Sequence, residues 1–204
     1  MIVFGGRLSP LGNAVAFVEL ELEDALEAYR EWRRGRRGQR RIEPLSRAPV
    51  LELLSALLPL EMPYRRRLLV GTTTGWTAIF DNSHTGGDPF PPTYLAQIRN
   101  VRAVAATHAR ASDTRYPATQ FHLFGPEGER PLMYVRTIDA GVFDEGGWSF
   151  DAWGPEQPYE EPERYRRRLI RDRFTREMLL RYLEALGITP EDPDWYTDAA
   201  LAHA

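Results

Sequence analysis

The side chains that could carry catalytic or metal chemistry are few in this sequence. It contains four histidines, which are His84, His108, His122 and His203, and all 26 of its formally positive residues are arginine. It contains no lysine and no cysteine. The absence of lysine excludes Schiff bases and phosphate-loop lysines, and the absence of cysteine excludes thiol nucleophiles and cysteine-ligated zinc. Any catalysis must therefore rest on histidine, carboxylate and hydroxyl groups.

The densest polar cluster is residues 81–88, which follow the apolar segment Trp76–Phe80. A polar loop at a strand end is a common place for an active site, and Asp81 or Asp88 could orient His84 as a general base. The same residue types are also typical of plain turns, because Asp, Asn and Ser bond their own backbone and glycine accepts positive φ. If the protein is an enzyme, the sequence predicts a small hydrolase or isomerase that uses Asp81, His84 and Asp88.

A second candidate is the pair His108 and His122, which lie in neighbouring predicted strands. A hairpin could bring the two imidazoles together as metal ligands, with Asp81, Asp139 or His84 as a third. The alternative, which we favour, is two histidines hydrogen-bonded on a sheet surface. The sequence therefore predicts no metal and no cofactor.

A third candidate is the acidic segment Glu156–Glu163, whose prolines exclude a regular helix or a central strand. We expect it to be exposed and to dock against a basic partner, with Tyr159 as the aromatic anchor and Glu160, Glu161 and Glu163 as the charges. The alternative is a solvated loop whose acids offset the arginines that follow it.

The arginine-rich stretch 33–41 carries six arginines broken by Gly35 and Gly38, and it predicts a loop. It could form a patch for phosphate or for an acidic partner. We favour a solvated connection because no aromatic residues alternate with the charges. A net charge of −3 and a pI of 5.9 also favour neither nucleic acid nor an anionic membrane.

The elements that must position these residues can be read from periodicity. A strand in residues 15–22 leads into a helix at 24–33, and short helices are predicted at 49–58 and 92–99. An apolar stripe from Phe174 to Leu186 predicts a C-terminal helix, capped by Thr175 and ended by Gly187 and Pro190. Runs of β-branched and aromatic residues predict a meander of antiparallel strands at 68–73, 76–80, 101–107, 119–124, 132–138 and 148–153.

Length and composition favour one domain. The chain has 204 residues, of which 43% are hydrophobic, and this is enough for one sizeable core. We predict a single α+β domain over residues 1–204, in which a mainly antiparallel β-sheet is flanked by helices. No apolar run approaches the roughly 18 residues of a membrane span. The first residues lack the features of a secretory signal, so we expect a cytoplasmic protein.

Four stretches together resemble a known group of proteins. They are Gly75–Asn82, then Gly147–Phe150 with Gly154, Tyr159 and Glu160, then Tyr165 with Arg168 and Ile170–Phe174, and last Tyr182–Ile188. They resemble bacterial cytoplasmic proteins of the actinobacterial type that are found among the immunity proteins of polymorphic toxin systems. The resemblance implies a noncatalytic protein that occludes a toxin, and it carries over no catalytic residue.

The leading hypothesis from the sequence is an intracellular protein-binding module, of the kind that neutralises a toxin. The aromatic and acidic side chains of the segment 156–163 suit an interface. The His/Asp enzyme is the alternative, and a structural or assembly component is a third reading. A protein partner is expected, whereas a membrane or a nucleic acid is not.

Overall fold

The computed structural model describes residues 2–3, 9–34, 41–61, 66–83, 90–112, 116–143 and 146–203. The strands are β1 (Ala14–Val18), β2 (Ile42–Leu45), β3 (Arg66–Thr72), β4 (Thr77–Asp81), β5 (Ala103–Ala109), β6 (Ala118–Glu129), β7 (Tyr134–Val142), β8 (Trp148–Trp153) and β9 (Tyr196–His203). The helices are α1 (Leu22–Arg33), α2 (Val50–Ser55), α3 (Phe90–Arg99) and α4 (Arg176–Ala185), with short 3-10 turns at Pro162–Arg166, Ile170–Asp172 and Pro193–Trp195.

All nine strands form one sheet in the order β2-β9-β3-β4-β1-β5-β6-β7-β8, and every neighbouring pair is antiparallel. The predicted α+β class with a dominant antiparallel sheet is therefore confirmed. The segments predicted at 76–80 and 148–153 lie in this sheet as β4 and β8.

The strand order departs from a simple meander in two places. Strands β5 to β8 follow one another across the sheet, but β1 lies between β4 and β5. Strand β9 lies between β2 and β3, and it follows the predicted C-terminal helix in the sequence. No strand was predicted at residues 196–203, because the alanines of β9 have a low strand propensity and its pairing with both neighbours is what makes it a strand.

Helices cover the two faces of the sheet unequally. Helices α2 and α4 pack on one face, where the stripe of α4 is buried and Leu179 and Leu183 are fully enclosed. Thr175 caps α4 as predicted, because its side chain accepts from the backbone N–H of Met178. Gly187 ends the helix at φ 78°, where its freedom to adopt positive φ allows the backbone N–H of Ile188 to reach the carbonyl of Leu183 at 2.9 Å.

Helices α1 and α3 pack on the other face, over β1, β3, β4, β5 and β9. Their apolar contacts extend to Phe124 of β6 and Tyr134 of β7, and no helix among the described residues covers the rest of this face over β6, β7 and β8. No helix in the described ranges has both the length and the apolar character needed to span a lipid bilayer.

Candidate functional site

The uncovered part of the sheet carries two rows of side chains that cross three strands. The first row is Gln120, Asp139 and Asp151, and the second is His122, Thr137 and Trp153. Side chains of adjacent strands that lie directly opposite each other share a face, so these six side chains form one surface. We call this surface, made of Gln120, His122, Thr137, Asp139, Asp151 and Trp153, the open face.

A hydrogen-bonded network fixes the centre of the open face. The carboxylate of Asp139 accepts from the Nε2 amide of Gln120 at 2.8 Å, and its Oδ1 lies 2.9 Å from Nε2 of His122. Both the histidine and the aspartate side chains are half-buried. The His122 ring also contacts Tyr134 edge to face at 6.1 Å between ring centroids. The carboxylate of Asp139 is therefore held in place by two side chains of the neighbouring strand β6.

A pocket of about 400 Å³ lies between this network and the tip of the β6–β7 hairpin. Its wall combines His122, Asp139, Tyr134 and Trp153 with hairpin residues 129–132. The hairpin is attached to α3, because the Gln97 amide donates to the carbonyl of Pro131. Trp153 is 45% exposed, which is unusual for so large an apolar side chain. Aromatic walls with a few fixed polar groups are typical of a binding site.

The open face has an excess of negative charge. Asp139 and Asp151 are directly opposite each other across β7 and β8. Asp151 is exposed, and no residue in the described ranges pairs with it. Glu129 and Arg130, at the hairpin tip, are exposed and offset each other in formal charge. The two aspartates thus form a like-charge pair on the open face.

The predicted histidine pair is separated by the sheet. His108 pairs with Thr119, and its Nδ1 lies 3.0 Å from that hydroxyl, whereas His122 pairs with Ala105. Residues 119 and 122 point to opposite faces because successive strand side chains alternate, so the two histidines do not share a metal; each lies within hydrogen-bond distance of a neighbour on its own face of the sheet, as in the reading favoured from the sequence. Burial lowers the pKa of His108 to about 4, which keeps it neutral at pH 7. The described residues contain no cluster of three His, Asp or Glu side chains that could hold a metal ion.

The predicted catalytic loop is only partly described. Asp81 ends β4 and is buried, and its Oδ1 accepts from the backbone N–H of Ser83 at 2.9 Å, which is an Asx turn. His84 and Asp88 lie outside the described residues. The catalytic role of these three residues therefore stays a prediction.

The acidic segment is not uniformly exposed, which corrects the sequence prediction. The side chain of Glu160 is fully buried, and its carboxylate accepts two hydrogen bonds from the Arg136 guanidinium, at 2.9 and 2.7 Å. The Tyr165 hydroxyl and the backbone N–H of Gln157 also donate to Glu160, at 2.8 and 2.9 Å. Burial alone lowers the pKa of Arg136, but the hydrogen bonds and the charge of Glu160 raise it overall. Glu160 is therefore part of an internal ion pair and is not available to a partner.

Tyr159 and Glu161 also make contacts within the chain. The ring of Tyr159 packs against Phe121 and Tyr182 at 6.4 and 5.5 Å, and burial raises the pKa of its hydroxyl. The hydrogen bond from Arg181 lowers the pKa of Glu161, which also pairs with Arg164. Of the four predicted binding residues, only Glu163 is exposed.

The sequence did contain a signal for the open face. Polar residues recur at every second position as Gln120 and His122 in β6, as Thr137 and Asp139 in β7, and as Asp151 in β8. Such alternation marks the solvent face of a strand. Recognising that three strands contribute to one surface required their register, which the sequence does not specify.

No known protein family matches the chain, and neither does any curated protein or solved structure. What the chain does must be inferred from its own geometry.

Proposed function

We propose that this protein is a protein-binding module of the immunity type, acting in the cytoplasm, which neutralises a toxin by holding a basic part of it against the open face. The observation that carries the proposal is the like-charge pair of Asp139 and Asp151, which lies beside an exposed tryptophan on the uncovered part of the sheet. The proposal moves the binding surface from the acidic segment, where Glu160 is buried, to the open face.

A cationic side chain of a partner fits this position on electrostatic grounds. Two carboxylates directly opposite each other on neighbouring strands repel, and a guanidinium placed between them removes that repulsion. Gln120 and His122 already orient Asp139, so its side chain loses little further conformational entropy when a partner binds. The adjacent ring of Trp153 offers an aromatic surface over which a cation is attracted.

The position of these residues on strands also supports binding. All six side chains of the open face project from β6, β7 and β8, and none comes from a loop. Surfaces built on regular elements change little on complex formation, and this lowers the ordering cost. An exposed tryptophan beside fixed polar groups is the usual composition of an energetic hot spot.

The test uses the product of the neighbouring reading frame as the partner. Association and dissociation rates are measured by biolayer interferometry at two salt concentrations. Trp153→Ala should cost about 2 kcal/mol, which is about 30-fold in affinity and mainly in the dissociation rate. Asp151→Asn should slow association, most strongly at low salt.

Glu156→Gln is the matched control, because Glu156 is an exposed acid outside the open face. It removes the same charge as Asp151→Asn and should leave both rates unchanged within about twofold. Equal effects of the two variants would mean that only net charge matters. Failure of the neighbouring product to bind, together with a hydrolytic activity that His84→Ala abolishes, would replace this proposal with the enzyme hypothesis.

A further inference from the structure

A second pocket, of about 280 Å³, lies away from the open face, where the end of α1 meets the ends of β2 and β9. It is lined by Tyr29, Arg30, Arg33, Ile42 and His203. We call it the arginine pocket. It is formed by α1 and by the strands at the opposite side of the sheet from β8, so it is independent of the proposed function.

Two positive charges line this pocket, and no acid among the described residues forms an ion pair with either of them. Arg30 and Arg33 are three residues apart on α1, so their side chains are neighbours on one side of the helix. The nearby acids of α1 are used elsewhere, because Arg99 of α3 pairs with Glu31 at 2.8 Å and with Glu27 at 3.4 Å. Neither Arg30 nor Arg33 forms an ion pair with any residue in the described part of the chain. The two guanidinium groups are therefore available to an anion.

Hydrogen-bond donors outnumber acceptors around the arginine pocket. The buried Arg67 donates from Nη1 to the Tyr29 hydroxyl at 3.1 Å, which leaves the hydrogen of that hydroxyl free to donate in turn. Nε of Arg33 is buried and has no hydrogen-bond partner among the described residues. A buried donor without a partner costs free energy, and a bound acceptor would recover it.

The carboxylates near the arginine pocket are partly engaged. Glu43 forms an ion pair with Arg41 at 2.7 Å. Its Oε1 also lies 3.5 Å from Nε2 of His203, and this distance is too long for a hydrogen bond. Asp81 is opposite Arg67 in the register of β3 and β4. The charge of Arg67 is further shared with the ring of Trp32, whose centroid lies 5.2 Å from its Cζ. The arginines at the end of α1 thus remain the dominant charges.

We propose that the arginine pocket binds a phosphate group, which Arg30 and Arg33 hold by charge and hydrogen bonds and to which the Tyr29 hydroxyl donates. Guanidinium groups match the geometry of phosphate oxygens, and a ligand with acceptors only is complementary to a wall of donors. The volume of the arginine pocket is just below the roughly 300–1,000 Å³ that is typical of binding sites for larger ligands. This favours inorganic phosphate or a small phosphate monoester.

The experiment titrates the full chain with inorganic phosphate and, separately, with glycerol phosphate, at constant ionic strength set with sodium chloride. Amide shifts followed by NMR should saturate and should concentrate at residues 29–33, 42 and 203. Arg33→Gln should weaken binding by about tenfold or more. Arg34→Gln is the matched control, because Arg34 is exposed at the same helix end but does not line the pocket, and it should change the affinity by less than about twofold.

Thermal unfolding in chloride checks that both variants are folded, and phosphate should raise the melting temperature of the wild type and of Arg34→Gln by more than that of Arg33→Gln. Tighter binding of glycerol phosphate would identify a phosphorylated small molecule as the ligand, and equal binding would identify phosphate itself. The absence of saturable shifts with either ligand, or equal weakening by both substitutions, would overturn the proposal.

Discussion

The buried ion pair between Arg136 and Glu160 makes the most demanding prediction about stability. Glu160 is fully buried and Arg136 is 4% exposed, so neither charge is solvated by water. Glu160→Gln leaves the guanidinium without a counter-charge and removes one acceptor of the Tyr165 hydroxyl. Loss of one partner of a buried pair costs about 3–5 kcal/mol, which is a large part of the 5–15 kcal/mol typical of a domain.

Urea unfolding at pH 7 measures this cost, and the m-value shows whether unfolding stays two-state. The double variant Arg136→Met/Glu160→Leu should cost less than Glu160→Gln alone, because it removes both buried charges. Glu163→Gln, an exposed change in the same segment, serves as the control and should have no measurable effect. A loss below about 1 kcal/mol for Glu160→Gln would refute the view that the pair is desolvated and mutually dependent.

Three further predictions concern the core and its titration. Leu179→Ala and Leu183→Ala should each cost about 2–5 kcal/mol in urea unfolding, because both side chains are fully enclosed, and losses near zero would show that α4 is peripheral. Gly154→Ala should lower the melting temperature strongly, since φ is +90° and an added Cβ would lie 2.1 Å from the carbonyl oxygen of Val135; an unchanged melting temperature would contradict this. The pKa of His108 is about 4 in the folded state and 6.5 in the unfolded state, so the unfolded state binds more protons between these two pH values. The free energy of unfolding should therefore be highest above pH 6.5 and should fall towards pH 4. The loss should be on the order of 1 kcal/mol, because His108 is partly exposed. His108→Gln should flatten that slope, and an unchanged slope would assign the pH dependence to other groups.

Strong local patterns made much of the fold predictable. Alternating β-branched and aromatic residues predicted β3 to β8, and the apolar stripe with its cap and terminal glycine predicted α4. Strand β9 could not be predicted in this way, because Ala199, Ala200 and Ala202 favour a helix when they are considered alone. Small side chains are needed there, since Ala200 and Ala202 pack in the layer beneath α1. That requirement is visible only once the sheet is assembled.

The candidate site was harder to predict than the fold. Glu160 has the same local surroundings as Glu161 and Glu163, so charge pattern alone assigned all three to the surface. Its burial depends on Arg136, which is distant in the sequence and reaches it from β7. The open face poses the reverse problem, because its polar residues are evident in the sequence but their assembly into two rows depends on strand register. Contacts between residues far apart in the sequence therefore decide both the burial of Glu160 and the assembly of the open face.

The position of β9 between β2 and β3 has a consequence for how the sheet is completed during synthesis. Strand β3 can pair with β4 soon after both leave the ribosome, but its other edge stays open until residues 196–203 have been made. At typical translation rates the delay is on the order of ten seconds. During that time the apolar run Leu68, Leu69 and Val70 presents unpaired backbone groups to other nascent chains. Arg66 and Arg67 stand directly before this run, and like charges on neighbouring chains would keep such edges apart until the last strand closes the sheet.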